Sequence, residues 1–345
     1  MRQATYKKHL LNFKQASGTS RGVLKTKETY LLKIFDGEKE GYGECGLFRG
    51  LSADDKPDYE EKLQWACDHI SYGKDFLISK LNAFPSIQFG LEQAFLSFQS
   101  EHPFELFPTD FVKKKKPIAI NGLIWMGKPS FMQEQIEDKL AAGFDTIKLK
   151  IGAIDFEKEC ELLHGIRKHF SAEKIELRVD ANGAFTPENA LEKLKRLSDF
   201  ELHSIEQPIR QGQIQDMANL CRQTPLPIAL DEELIGISDI IKKEELIAAI
   251  KPQYIILKPS LVGGIQGSME WIKIVEKQNI GWWITSALES NIGLNAIAQW
   301  TAHLGTKIPQ GLGTGGLFTN NFDSPLQVEK GSLWYCSERR WNFKW

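Results

Sequence analysis

From Pro117 onwards, short apolar runs alternate with amphipathic segments of helical period. We predict strands at Ile118–Ile124, Thr146–Ile151, Ile175–Asp180, Leu202–Glu206, Ile228–Asp231, Tyr254–Lys258, Trp282–Ala287 and Ile308–Leu312. Helices fall between them, for example over Asp155–Phe170, Pro187–Leu197 and Ser238–Ile250. Such alternation is the signature of repeated βαβ units. The pattern therefore predicts an α/β barrel, a modified TIM barrel of the form (β/α)7β.

The first part of the chain follows a different pattern. Thr29–Phe35, a turn at Asp36-Gly37 and Gly41–Cys45 indicate a β-hairpin, and helical periodicity follows over Tyr59–Ile70 and Ile87–Phe98. We predict an α+β capping domain at residues 1–115, the barrel at 116–320 and an aromatic-rich C-terminal segment at 321–345 that packs back on the capping domain. Two polar, glycine-rich loops, Gln15–Gly22 and Gly46–Ser52, are expected to close over a neighbouring site.

Composition narrows the classes of function. The 345 residues are 42% hydrophobic and 26% charged, with a formal net charge of −2, so we expect no nucleic-acid or membrane partner. Lys7, Lys8 and His9 interrupt any secretory segment, and five scattered cysteines predict free thiols in the cytoplasm. The basic run from Lys113 to Lys116 is expected to be a solvated junction. The oligomeric state is not predictable from these features.

Ionisable residues end five successive predicted strands. Lys150, Asp180, Glu206, Asp231 and Lys258 lie 25 to 30 residues apart along the chain, about one βαβ repeat. In a barrel, the carboxyl ends of all strands open onto one mouth, where active sites lie. We therefore expect these five side chains to meet in one site.

Side-chain parity supports an inward orientation of these charges. Lys148 and Lys150 share one face of their strand, opposite Ile147 and Leu149, so the apolar set can pack on helices while the lysines point inward. Charges inside a barrel are costly unless they are paired or bound to a metal. Mutual repulsion between the lysines, with a cation nearby, favours loss of a proton from one of them, which could then act as a base. The alternative is that both are ion-pair partners of the carboxylates.

Three carboxylates on adjacent strands suit a hard divalent cation. Asp180, Glu206 and Asp231 offer the oxygen ligands that Mg²⁺ prefers, and Mn²⁺ is expected to substitute for it. The alternative for each residue is a cap on the helix that follows its strand. We favour the metal because all three stand in register beside inward lysines.

At these residues the chain resembles the enolase superfamily, and within it the muconate-lactonizing subgroup. The resemblance rests on Lys148-Leu149-Lys150, the carboxylates of Asp180, Glu206 and Asp231, and Lys258. It implies Mg²⁺-dependent removal of a proton α to a carboxylate, with an enediolate held by the metal. Lys150 would be the base, Lys148 would tune it, and Lys258 would stabilise the anion from the opposite face.

The segments SIEQPI, LKPSLVGG, TSALESNIG and GLGTGGLF resemble the lyases of this subgroup that act in menaquinone biosynthesis. The resemblance implies syn-dehydration of a small-molecule carboxylate, 2-succinyl-6-hydroxy-2,4-cyclohexadiene-1-carboxylate, to o-succinylbenzoate. Thr285, Ser286, Gly311 and Arg178 are candidate substrate contacts. Dipeptide epimerases and N-succinylamino-acid racemases are the alternatives, since α-proton removal is common to all. The epimerases typically carry an acidic motif after the eighth strand, whereas GLGTGGLFTNNFD is uncharged until Asp323.

Two further motifs and two other classes of protein carry less weight. Gly18–Gly22 fits GxSxG, but it lies in a polar loop before a strand, where a nucleophile elbow is not expected. Gly311–Gly316 fits GxGxxG, but no clear helix follows. A Schiff-base aldolase would not need three carboxylates in register, and a noncatalytic ligand-binding barrel would not need both lysines.

Overall fold

The structure is a computed structural model that describes residues 1–19, 22–113 and 116–345. Its N-terminal part is an antiparallel sheet of β1 (Gln3–Thr19), β2 (Gly22–Phe35) and β3 (Glu40–Cys45). Helices α1 (Tyr59–Asp68), α2 (Lys74–Lys80) and α3 (Pro85–Gln99) cover one face of this sheet, and the short α4 (Asp110–Lys113) follows. We call β1–β3 with α1–α3 the cap. The predicted hairpin is confirmed, with Phe35 opposite Glu40.

The prediction for Gln15–Gly22 is wrong in part. Gln15–Thr19 belongs to β1 and pairs with β2 up to the partners Thr19 and Gly22, after a register shift between Asn12 and Ser17. Ser20 and Arg21, which complete the GxSxG match, lie outside the described residues. Gln15 and Ala16 are exposed although they lie in this strand, which accounts for its polar composition there.

Close packing of α3 on β3 depends on glycine. A Cβ on Gly43 would lie 2.1 Å from the carbonyl oxygen of Gly90, a distance that real contacts do not reach. Small residues therefore let the helix backbone approach the strand, and the core of the cap forms between them around Tyr30, Leu63 and Leu91.

The barrel strands form one parallel seven-stranded sheet in sequence order. They are β5 (Gly122–Ile124), β6 (Thr146–Lys150), β7 (Glu176–Asp180), β8 (Ser204–Glu206), β9 (Ile228–Leu230), β10 (Tyr254–Leu257) and β11 (Gly281–Ile284). The intervening helices are α5 (Pro129–Ala141), α6 (Phe156–His169), α7 (Pro187–Ser198), α8 (Ile214–Gln223), α9 (Ile240–Ile250), α10 (Pro259–Val262), α11 (Gly264–Glu276) and α12 (Asn291–Leu304). The predicted helices are confirmed to within two residues at each end.

Two residues close the ring in place of the predicted eighth strand. Gln310 bridges in parallel to Ile120 and Gly311 to Thr285, so the Gln310–Gly311 peptide joins both edges of the sheet. The Gln310 side chain extends this join by accepting a hydrogen bond from the Ile284 amide at 2.7 Å. The prediction of a regular strand over Ile308–Leu312 is therefore wrong in length, although its place in the ring is right.

The predicted first strand is also shorter than expected. Ile118–Ile124 divides into β4 (Ile118–Ala119) and β5, because β4 pairs antiparallel with β13 (Ser332–Tyr335), which in turn pairs with β12 (Leu326–Glu329). The predicted junction at Lys113–Lys116 falls partly on Lys114 and Lys115, which lie outside the described residues.

Aromatic residues near the C-terminus contact the cap and the segment that follows it. Phe343 and Trp345 lie against the Tyr42 ring, with centroids 5.0 and 6.1 Å away, and Trp341 stacks on Phe104 at 4.2 Å. The domain limits at residues 115 and 320 stay a prediction.

Outward-facing residues of the barrel strands, such as Ile147, Leu177 and Ile205, pack against the helices in the main core. A smaller cluster of Ala229, Ile256 and Trp283 fills the barrel interior. Among the described residues, no helix combines the length and the apolar character needed to cross a lipid bilayer. All five cysteines are free thiols, as predicted.

Candidate active site

Charged side chains occupy one level of the barrel interior at its mouth. Lys150 is the register partner of Asp180, and Asp180 is the partner of Glu206. Asp231 and Lys258 follow directly after the next two strands, β9 and β10. The structure thus brings together all five residues that the spacing predicted, with Lys148 beside them.

Each lysine of this cluster contacts a carboxylate. Lys148 Nζ donates to Glu206 at 2.6 Å and lies 3.3 Å from Asp180 Oδ2, while Lys150 Nζ donates to the same Asp180 oxygen at 2.8 Å. Lys258 Nζ donates to Asp231. The carboxylates are at most 2% exposed, so the three lysines compensate a negative charge that water cannot solvate.

These contacts govern the pKa values of the cluster. Burial alone would lower the pKa of Lys148, but the carboxylates of Glu206 and Asp180 raise it above its ordinary value. The prediction that mutual repulsion lowers the pKa of each lysine is therefore wrong for Lys148, because the two carboxylates lie within 3.3 Å of it. Burial alone would raise the pKa of Asp180, but Lys150, Lys148 and Lys258 lower it.

Glu206 differs from Asp180, because its pKa is raised and not lowered. Burial and the neighbouring charge of Asp180 raise the pKa of Glu206 to about 8. Its Oε1 atom is buried without a hydrogen-bond partner, and Lys258 Nζ is 3.9 Å away. A further cation at this atom would satisfy it, so the donor set has the chemistry of a magnesium site.

The carboxylates are not arranged around a common metal position. Within the described part of the chain, no group of three or more His, Cys, Asp or Glu side chains could hold an ion as they stand. Lysine ammonium groups lie between Asp180, Glu206 and Asp231 instead. The alternative role as helix caps has no support either, because α7 is capped by Thr186 and Asp231 makes no side-chain cap bond. The metal triad stays a prediction.

Two residues near Lys150 were not predicted. Asn182 Oδ1 accepts a hydrogen bond from Lys150 Nζ at 2.8 Å, and Asn182 Nδ2 donates to Glu232 at 3.0 Å. Asn182 has a positive φ of 45°, which asparagine tolerates better than most residues. The Asp-Ala-Asn-Gly sequence after β7 is the signal that could have indicated a polar turn at this place.

The candidate substrate contacts separate into two groups. Thr285, Ser286 and Gly311 line the cavity at the mouth, whereas Arg178 is not among its lining residues. Arg178 lies deeper in the barrel, with its guanidinium 4.6 Å from the Trp283 ring centroid and donating to the Pro309 carbonyl at 2.9 Å. Its observed contacts are structural.

A cavity of about 580 Å³ opens above the charged cluster. The cap contributes Phe48 and Leu51 from the loop Gly46–Ser52, and Lys14 to Ser17 from β1. Both glycine-rich segments predicted to lie over a site therefore border it. Lys148, Lys150 and Lys258 are at the cavity surface, while the three carboxylates lie behind them.

A ring of parallel strands with a cap over its mouth, and acid and lysine side chains at the strand ends, defines an enolase-type barrel enzyme. Residues 132–337 match the family model described as enolase C-terminal domain-like, and the chain belongs to this family. The o-succinylbenzoate synthase of Desulfotalea psychrophila is 48% identical to the chain, over 96% of the chain and 98% of that relative.

Solved structures show the same fold. The crystal structure of MenC from Desulfotalea psychrophila has a TM-score of 0.86 at 44% identity, covering 96% of this chain and 99% of that one. A dipeptide epimerase from Enterococcus faecalis, complexed with Mg and the dipeptide L-Leu-L-Tyr, has a TM-score of 0.81. At 20% identity, over 96% of both chains, it indicates the fold alone. The predicted superfamily and fold class are confirmed.

Proposed function

We propose that this protein is an o-succinylbenzoate synthase, a lyase that dehydrates 2-succinyl-6-hydroxy-2,4-cyclohexadiene-1-carboxylate to o-succinylbenzoate. The relative of that name, 48% identical over nearly the whole chain, supports this reaction. The proposal places the enzyme in menaquinone biosynthesis and in the cytoplasm, where free thiols such as those observed persist.

The charge of the cavity wall is the observation that carries the proposal. Among the described residues, the wall contains five lysines and a single carboxylate, that of Asp138. The lysines are Lys14, Lys139, Lys148, Lys150 and Lys258. Such a wall attracts a substrate with two carboxylates and disfavours a free ammonium group. The cyclohexadiene substrate has a ring carboxylate and a succinyl carboxylate, and no cationic group.

Asp180, Glu206 and Asp231 would hold the magnesium ion in this proposal. Glu206 Oε1, buried without a hydrogen-bond partner, supports their fit to a cation. When bound, Mg²⁺ would supply positive charge beside the ring carboxylate of the substrate.

Lys150 is the proposed base. Its Nζ is 2.8 Å from both Asp180 Oδ2 and Asn182 Oδ1, so two polar contacts fix its position at the cavity wall. It takes the proton from the carbon next to the ring carboxylate and becomes an ammonium. It then returns that proton to the departing hydroxide, which leaves as water on the same face.

Lys258 and Lys148 are proposed to act through their charge. Lys258 projects from β10, across the mouth from Lys150, and its ammonium stabilises the negative charge that develops on the carboxylate. The carboxylates of Glu206 and Asp180 raise the pKa of Lys148 above its ordinary value although burial opposes them, so Lys148 contributes a positive charge beside Lys150. Thr285 and Gly311 are proposed to contact the succinyl group.

N-succinylamino-acid racemase activity is the second candidate. An N-succinylamino acid also has two carboxylates and no free ammonium, so the same lysine-rich wall suits it. A dipeptide has a terminal ammonium, which this wall disfavours.

The test is turnover of freshly prepared cyclohexadiene substrate, with Mg²⁺ and with EDTA, beside a panel of dipeptides and N-succinylamino acids. We expect fast dehydration that depends on Mg²⁺ and exceeds all other activities. Racemisation of an N-succinylamino acid without dehydration of the diene would replace the first proposal by the second. Activity that is insensitive to EDTA would contradict the role of the metal.

A further inference from the structure

A buried polar cluster lies where the cap meets the barrel, behind the wall of the cavity. Lys27 of β2 and Glu44 of β3 come from the cap, and Glu289 and Ser290 come from the segment between β11 and α12. Glu44 and Glu289 are fully buried and Lys27 is 6% exposed. Burial of so many charged groups is costly, and the reaction described above uses none of them.

Glu289 connects this cluster to the cavity. One of its carboxylate oxygens accepts a hydrogen bond from Ser286 Oγ at 2.6 Å, and the other accepts one from Ser260 Oγ. Ser286 lines the cavity, whereas Glu289 does not. Glu289 therefore acts on the cavity wall only through a neighbouring side chain.

The hydroxyl group of Ser286 is fully occupied by protein partners. It donates to Glu289, and its oxygen accepts hydrogen bonds from the Leu288 amide at 3.0 Å and from Thr314 Oγ1 at 2.9 Å. A serine hydroxyl has one proton and two acceptor positions. Ser286 consequently has no proton left to donate to a ligand.

Thr285 is placed differently. Its Oγ1 is buried without a hydrogen-bond partner, and Thr285 lines the cavity next to Gly311. Of the two adjacent hydroxyl groups, that of Thr285 is thus the one without a protein partner. The hydrogen bonds of Ser286 fix the backbone next to Thr285, and the one from Thr314 Oγ1 also fixes Thr314 in the facing loop.

The cap contributes directly to this arrangement. Gly46, at the start of the loop Gly46–Ser52, packs so closely that a Cβ there would lie 2.7 Å from Ser260 Oγ and 3.1 Å from Glu289 Cγ. Lys27 Nζ is buried without a hydrogen-bond partner, and burial lowers the pKa of Lys27 more than the nearby carboxylates of Glu44 and Glu289 raise it. The cluster therefore forms only when the cap is docked.

We propose that Glu289 is a positioning residue for substrate binding. It fixes the Ser286 hydroxyl, and through it the Thr285 side chain and the Thr314 loop, in the orientation that receives the part of the substrate remote from Lys150. The identity of that substrate rests on the proposed function, but the positioning role does not depend on which compound of the panel is turned over.

Three variants test this inference: Glu289→Gln, Ser286→Ala and the double variant. A glutamine amide cannot accept hydrogen bonds from both serines, so one of them must turn its proton elsewhere. We expect each single variant to raise KM about tenfold and to change kcat less than about threefold, as for loss of one hydrogen bond that aids binding alone. The KM of the double variant should not exceed that of the single variant with the higher KM, because the two residues act through one hydrogen bond.

Glu92→Gln is the matched control, because Glu92 is also a buried carboxylate between cap and barrel and makes none of the contacts of Ser286. It should leave KM unchanged. A purely structural role for Glu289 would reduce the fraction of folded enzyme, and thereby kcat, at constant KM. That result, or additive effects in the double variant, would overturn the inference.

The same experiment separates this inference from the proposed function. If the unmodified protein fails to dehydrate the cyclohexadiene substrate, the proposed function fails. The variants are then compared on the panel compound that the unmodified protein does turn over. An unchanged KM for Glu289→Gln and Ser286→Ala on that compound overturns the positioning role, and a raised KM supports it.

Discussion

Lys150 is the side chain to which the proposed function assigns proton transfer. Among the described lysines, Lys150 is the one that donates hydrogen bonds to both Asp180 and Asn182, and its replacement by alanine removes this group. We expect kcat to fall about a thousandfold, the usual order for loss of a general base, with the circular dichroism spectrum unchanged.

Lys168→Ala is the control for this prediction. Lys168 is an exposed lysine in α6, the helix that follows the Lys150 strand, and its loss should leave turnover intact. Near wild-type activity in Lys150→Ala would disprove the proposed mechanism.

Glu206 offers a test of the metal that does not depend on activity. A ligand that binds the folded state alone stabilises it, so Mg²⁺ should raise the Tm of the unmodified protein. Glu206→Gln removes a charge from the predicted triad and should reduce this shift to near zero. Differential scanning fluorimetry with and without Mg²⁺ measures both.

The exposed Glu201, which precedes the same strand, provides the control substitution Glu201→Gln. This variant should keep the full Mg²⁺-dependent shift. An equal shift in Glu206→Gln would remove Glu206 from the metal site.

At the scale of elements, α3 of the cap and α11 of the barrel are joined through Glu92. Its carboxylate accepts hydrogen bonds from the backbone amides of Ile265 and Gln266, at the N-terminus of α11. Burial nevertheless raises the pKa of Glu92 to about 7. Because the folded state binds this proton more tightly than the unfolded state, protonated Glu92 stabilises the protein. The contribution is complete at a pH below the pKa that Glu92 has in the unfolded chain, and it is lost as the pH rises through 7.

Glu92→Gln should therefore flatten the pH dependence of stability. Between pH 4.5 and 7 we expect the unmodified protein to lose a few kcal/mol more of its unfolding free energy than the variant, at ~1.4 kcal/mol for each pKa unit. Urea unfolding at several pH values measures the difference. Parallel curves for the two proteins would contradict the assignment.

The sequence predicted the barrel helices and the inner strands well, because each has a strong period. Leu162, Leu163 and Ile166 of α6, for example, recur at helical spacing and are buried. β1 was missed because it is long, mostly exposed and rich in lysine, and because its alternation of buried and exposed residues is broken at Lys7-Lys8. The prediction of a regular eighth strand was wrong for a different reason. One peptide and one side chain replace a strand at this place, and no periodic pattern in a sequence indicates such a join.

The residues of the candidate site that lie at strand ends could be predicted, whereas those in connecting segments could not. Lys150, Asp180 and Glu206 were found because parity and spacing fix the ends of strands. Asn182 and Glu289 were not, since both lie in connecting segments. Their importance arises from contacts with residues that are distant in the chain.

At the scale of the whole molecule, Glu44 connects the cap to the barrel. Its carboxylate accepts hydrogen bonds from Thr29 Oγ1 within the cap, and from the Ser290 amide, Ser290 Oγ and the Gly293 amide at the start of α12. In Glu44→Gln, an amide NH2 group would replace one of the two carboxylate oxygens and would face the N–H and O–H groups that now donate to it. We expect a loss of about 1–3 kcal/mol of unfolding free energy, the cost of unsatisfied buried polar groups.

Denaturant unfolding followed by circular dichroism measures this loss. The control is Glu40→Gln, at the exposed start of the same strand, where the ion pair with Lys33 is in contact with solvent and contributes little. Equal stability of the two variants would show that Glu44 does not hold the cap and the barrel together.

The narrow join at Gln310–Gly311 has a thermodynamic consequence. Thr285 and Gly311, which face each other across this join, also belong to the wall of the cavity. A bound substrate that contacts both residues bridges the β11 edge of the sheet and the closing peptide. Since linkage is reciprocal, closure of the ring and binding of substrate in the cavity favour each other. The bound substrate then stabilises the closed form of the barrel.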